Sequence, residues 1–119
     1  MAKKNYLPDR GEVIWLDFNP KVGKEQSERR PALVLSKKSF NQGLGHMALV
    51  CPITTREPRN ELELKIPANY QPTGTILVHQ AKMVDLEARM AEKSGYLPLE
   101  LVNKASKGLA ILAGYPVDQ

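Results

Sequence analysis

GKEQSERRPALVLS, Gly23 to Ser36, joins two stretches that need different surroundings. Ala32–Leu35 is a short apolar run of the kind that forms a buried β-strand. Pro31 stands at the strand's first position, where a missing N–H is least costly. Directly before it come Glu25, Gln26, Glu28, Arg29 and Arg30. A polar group at a strand end is fixed by the strand and exposed by the adjoining loop, which is how clefts acquire their functional side chains. The stretch therefore predicts a sheet whose strand ends carry the chemistry.

On either side of it, apolar and β-branched runs recur at short spacing, separated by Gly, Pro and Asn. EVIWLDF is a first strand, between the PDRG turn and NPKVG, and its Trp15 is expected to be buried. PALVLS is the second strand, HMALVCPI the third and ELELKI the fourth. TILVHQAKMV is a fifth that bends in its middle. ELELKI alternates, which directs Leu62, Leu64 and Ile66 to the core and Glu61, Glu63 and Lys65 to water. KKSFNQGLG is a turn or short helix, and EARMAEKSG a solvated helix or turn. In the tail, Leu101, Ala105, Leu109 and Leu112 recur at helical spacing, with Pro98 suited to the first turn and Gly114 to the end. Gly108, unfavourable in an exposed helix, marks close packing against a sheet. The expected fold is mostly β: a small, curled, antiparallel sheet with a C-terminal helix. Its edges must close on themselves or pair with another chain, and with so small a core a homodimer is expected.

The chain has 119 residues, enough for one domain, 1–119, that buries about two thirds of its unfolded surface. A hydrophobic fraction of 42% argues against disorder, and a net charge of +4 points weakly to an anionic partner. No run approaches the roughly 20 apolar residues that span a bilayer. MAKKNYLPDRGEV lacks the apolar core of a secretion signal, so the expectation is a cytoplasmic protein with no membrane partner. Cys51 is the sole cysteine and lies among apolar neighbours, as core filling rather than a nucleophile. His46 and His79 have no partners at ligand spacing, and VGKEQS lacks the glycines and ending of a phosphate loop. No metal and no cofactor are expected.

What remains is polar residues at strand ends and breaks: Arg30 before the second strand, Thr54 and Thr55 after the third, and His79, Gln80 and Lys82 within the fifth. Guanidinium grips phosphate with parallel donors, hydroxyl donates and accepts, and imidazole exchanges protons near neutrality. Such a set suits cleavage of RNA by its own 2′-hydroxyl, which needs one proton removed, another supplied and phosphorane charge neutralised. The same residues also admit a plainer account, with Arg30 paired to Glu25 or Glu28 and the threonines capping a turn.

At these residues the chain resembles the MazF/PemK-like toxins of bacterial toxin–antitoxin pairs. The matching stretches are RGEVIWLDFNPKVGKEQSERRPALVLS, CPITT, HQAKMVDLEARM and ELVNKASKGLAILAG, from about Arg10 to Gly114. The resemblance implies a small SH3-like barrel that forms a homodimer. It implies metal-independent cutting of single-stranded RNA, chiefly mRNA, at short sequences to leave 2′,3′-cyclic phosphate and 5′-hydroxyl ends. It also implies a cognate antitoxin that lays an acidic, flexible tail into the dimer groove. Arg30 and Thr54 match the family's catalytic arginine and threonine; Glu25, Gln26 and Gln80 match further motif positions. His79 replaces an aspartate of some relatives and is a candidate for the same proton transfer. Arg29 stands where many relatives have a small residue or histidine. The expected RNA-binding set is Lys21, Lys24, Glu25, Gln26, Arg29, Thr55, Gln80 and Lys82. The fold also resembles that of the CcdB-type toxins, which poison gyrase without chemistry, or a plain protein-binding module. CcdB-like chains end in an exposed Trp-Gly-Ile stretch, whereas this one ends GYPVDQ with its Trp in the first strand.

Overall fold

The computed structural model describes residues 6–19 and 28–116. In chain order these form β1 (Glu12–Asn19), β2 (Glu28–Val34), α1 (Lys38–Gly43), β3 (Met47–Thr54), β4 (Glu63–Lys65) and β5 (Thr75–Leu77). A 3-10 turn (Val78–Gln80), β6 (Lys82–Asp85), β7 (Glu92–Tyr96) and α2 (Leu99–Leu112) complete the set. The sheet runs β4-β5-β3-β2-β1-β7, with β6 also paired to β3, and all its pairs are antiparallel. The first half of β3 pairs with β6, and its last residues, Ile53 and Thr54, pair with β5. The expected bend of the fifth strand is thus the 3-10 turn, which lets one stretch follow β3 along both halves. Among the described residues no ladder joins the two ends of the sheet into a closed barrel. Instead the segment from Leu86 to Ala91 crosses from β6 to β7, with both of those residues buried.

Alternation along the strands builds two cores. On one face Val13, Leu33, Cys51, Ile53 and Ile76 pack with Val102 and Ala105 of α2. On the other Ile14, Leu16, Phe18, Ala32, Val34, Val50 and Val84 pack together. The buried stripe of α2 is centred on Val102 and Ala105, with Leu101 and Leu109 only partly covered and Leu112 exposed, so the expected stripe is rotated. Gly108 does not mark unusually close packing: a Cβ there would make only ordinary contacts with Leu62 and Val78, at 3.6 Å. Arg10 fastens the helix to the sheet end through the Leu35 carbonyl, Ser106 Oγ and Asn103 Oδ1. Gly114, at φ +88°, ends the helical run in a left-handed conformation that glycine adopts readily.

Three further expectations are corrected. Trp15 is 38% exposed, because α2 covers its face of β1 only near Val13. The stretch taken as a solvated helix or turn contains β7, recruited by pairing with β1. Glu63, assigned to water, is buried. Among the described residues no helix is long and apolar enough to cross a membrane.

Candidate functional site

Arg30 shares a face of β2 with Ala32 and Val34, whose side chains enter the second core. It therefore emerges at the end of that core. There a cavity of about 160 Å³ is lined by Phe18, Glu28, Arg30, Pro52, Gln80 and Lys82. The Arg30 guanidinium donates to the Glu28 carboxylate at 2.7 Å, with both side chains more than two-fifths exposed. Lys82 Nζ lies 4.8 Å from the centre of the Phe18 ring, within cation–π range. β6 and the turn before it thus bring Lys82 and Gln80 to the arginine, a convergence that the sequence left open.

Thr54 reaches the same neighbourhood through β3. The β2–β3 ladder pairs Ala32 with Pro52 and Val34 with Val50. Two residues along that register stand Arg30 and Thr54, on the face of Ala32 and Pro52. Thr54 is half-buried, pairs with Thr75 of β5, and does not itself line the cavity. Its backbone is closely packed: at Gly74, φ +128°, a Cβ would come within 2.2 Å of the Thr54 carbonyl oxygen. Thr55, just beyond, is exposed.

His79 lies in the 3-10 turn next to Gln80, with its Nε2 3.6 Å from Glu63 Oε2 and its side chain about one-third exposed. Glu63 is the residue that sequence reasoning missed. Its carboxylate accepts two bonds from Arg56, at 2.7 and 2.8 Å, and one from the Arg59 amide at 2.8 Å. The Arg56 bonds hold its pKa down to about 2, against the upward pull of burial, with the Arg59 amide and the nearby His79 adding to the lowering. Strand alternation alone pointed Glu63 outward. The segment after Thr55 folds back over that side of the three-residue β4 and covers it. The sequence signal was a basic residue, Arg56, immediately after the threonine pair.

Arg29 is not brought to the Arg30 cavity. Alternation sends it to the opposite face, where it donates to Asp17 at 2.8 Å, to Glu92 at 2.5 Å and to the Met90 carbonyl at 2.7 Å. Burial disfavours its charge, but the two carboxylates outweigh this and raise its pKa. There it ties β1, β2 and β7 together. Lys21, Lys24, Glu25 and Gln26 lie outside the described residues. Cys51 is buried and its thiol pushed up to about 12 by desolvation, the state of a core side chain rather than a nucleophile. Among the described residues no three His, Cys, Asp or Glu side chains gather as a metal site.

The described residues thus form an antiparallel sheet with a terminal helix and a strand-end cavity lined by Arg30 and Lys82. The family described as PemK-like, MazF-like toxin of type II toxin–antitoxin system matches residues 9–113, and the chain belongs to it. It is 35% identical over 109 residues to the endoribonuclease toxin MazF of Escherichia coli strain K12, covering 92% of this chain and 96% of that protein. Its identity to the endoribonuclease toxin ChpB of the same strain is 39% over 110 residues, covering 88% and 92%. The crystal structure of MazE–MazF (Form-II) from Deinococcus radiodurans has a similar chain at TM-score 0.86 and 34% identity, covering 94% of this chain and all of that one.

Proposed function

We propose that the protein is a sequence-specific endoribonuclease toxin that cleaves single-stranded RNA, mRNA above all, through attack by the 2′-hydroxyl. The observation that carries this is the Arg30 cavity, in a chain whose relatives MazF and ChpB are named endoribonucleases. The 2′-oxygen attacks phosphorus and gives up its proton. The bond from phosphorus to the 5′-oxygen breaks, and that oxygen takes up a proton. The products are a 2′,3′-cyclic phosphate and a 5′-hydroxyl. Arg30 takes the charge that builds on the phosphorane, leaving Glu28 for the phosphate, and Lys82 adds a second cation at the cavity wall. Thr54 holds a phosphoryl oxygen or relays a proton, and His79 is the candidate proton-transfer group. Gln80 and Thr55 contact RNA, joined by Lys21, Lys24, Glu25 and Gln26 of the preceding loop.

The partners belong to the same reading: a second copy of this chain, and a cognate antitoxin whose acidic tail competes with RNA for the basic groove. Crystals of MazE with MazF support the second of these. The test is incubation of purified protein with a long single-stranded RNA, with and without EDTA, followed by end-group analysis. Discrete cuts carrying cyclic phosphate, unchanged by EDTA, are expected; intact RNA, or cuts with 5′-phosphate ends, contradict the reading.

A further inference from the structure

Glu63 lies against the turn that carries His79 and has no part in the chemistry above. Its side chain is only 2% exposed, yet it is ionised, which a carboxylate tolerates only with strong partners. Those partners come from two directions. Arg56, Arg59 and, at 3.4 Å, Asn60 belong to the segment that leaves the Thr54–Thr55 strand end. His79 belongs to the turn that carries Gln80 to the Arg30 cavity, and α2 backs that turn where Gly108 meets Val78. Two of these, Arg56 and the Arg59 amide, already satisfy both carboxylate oxygens and anchor the segment to β4. The orientation of the imidazole is a separate matter, and it is set by which ring nitrogen faces the carboxylate.

We propose that Glu63 is a positioning residue that acts through His79. With Nε2 3.6 Å from a buried carboxylate, a charge contact rather than a hydrogen bond, the neutral tautomer with its proton on Nε2 is favoured electrostatically, which leaves the Nδ1 lone pair for proton transfer. On protonation the same carboxylate retains the imidazolium as an ion pair, so the ring does not swing away during turnover. The inference rests on the reading of His79 as a proton-transfer group in RNA cleavage.

Two measurements test it. The first needs neither RNA nor a variant: ¹⁵N-detected long-range spectra of the wild-type protein report which nitrogen of His79 bears the proton. The Nε2–H tautomer is expected, and a predominant Nδ1–H tautomer overturns the proposal. The second is a double-mutant cycle in single-turnover cleavage. Glu63→Gln should slow cleavage about 10-fold when His79 is present and less than about twofold in the His79→Asn background. An equal loss in both backgrounds makes Glu63 a structural prop and overturns the proposal, as does a His79→Asn protein with the wild-type rate. If the wild-type protein cuts no RNA at all, the ribonuclease reading fails and takes Glu63's part in it along. The tautomer spectrum distinguishes that failure from an imidazole that is simply not held.

Discussion

Arg30 is placed by strand alternation, at the one end of β2 where an apolar face opens to solvent, and its neighbour Arg29 is turned away by the same alternation. Two adjacent arginines of identical chemistry therefore have different consequences when lost. Arg30→Ala should slow cleavage by roughly 10²-fold or more, while leaving the thermal melt in place. Arg30→Lys should recover little of this, since an ammonium lacks the paired donors. Thr54→Ala should cost about 10-fold, a hydrogen bond's worth of stabilisation. Arg29→Ala should mainly lower the melting temperature, because Asp17 and Glu92 lose their shared partner. Glu28→Gln removes the charge that competes with phosphate for Arg30, and a fall in KM of about threefold is expected from so exposed a pair. Steady-state kinetics beside circular-dichroism melts check all five.

At the scale of elements, the residue types along the chain revealed the apolar strands and the terminal helix, but not what covers each face. Leu62, Leu64 and Ile66 do pack against the first core, as their alternation requires. Glu63 obeys the same alternation and is buried all the same, because β4 is three residues long and a folded-back segment supplies Arg56 from outside the pattern. Trp15 fails in the opposite sense, being a large apolar side chain that stays 38% exposed beyond the part of its strand face that α2 covers. The bend in the fifth strand was legible from His79, Gln80 and Lys82 interrupting it; that it would bring Gln80 and Lys82 against Arg30 was not, since convergence depends on how the sheet curls. Gly74→Ala forces a side chain onto the Thr54 carbonyl and an L-residue into positive φ, which should destabilise by about 1–3 kcal/mol from the backbone conformation alone. It should also slow cleavage by displacing Thr54. Glu63 has a folded pKa of about 2, below its ordinary 4.5, so its ion pair contributes fully above pH 4.5 and is lost as pH falls toward 2. Urea midpoints should therefore fall through that window in the wild-type protein and fall less in Glu63→Gln.

The whole molecule presents an uncompleted surface as well as a site. Ile111, Leu112 and Tyr115, at and just beyond the end of α2, are all more than half exposed, and among the described residues the hydrogen-bonded sheet does not close on itself. A second copy of the chain is the proposed cover, and sedimentation at micromolar concentration should show a dimer; a purely monomeric protein contradicts that. The chemistry itself turns on a single atom of the substrate. A short RNA containing the mapped cut site is compared with the same strand carrying one deoxyribose immediately 5′ to the scissile phosphate. If the RNA's own 2′-hydroxyl is the nucleophile that Arg30 and its neighbours serve, the substituted strand stays whole at that phosphate while the parent is cut. Cleavage of the deoxy-substituted strand at the same phosphate contradicts the account.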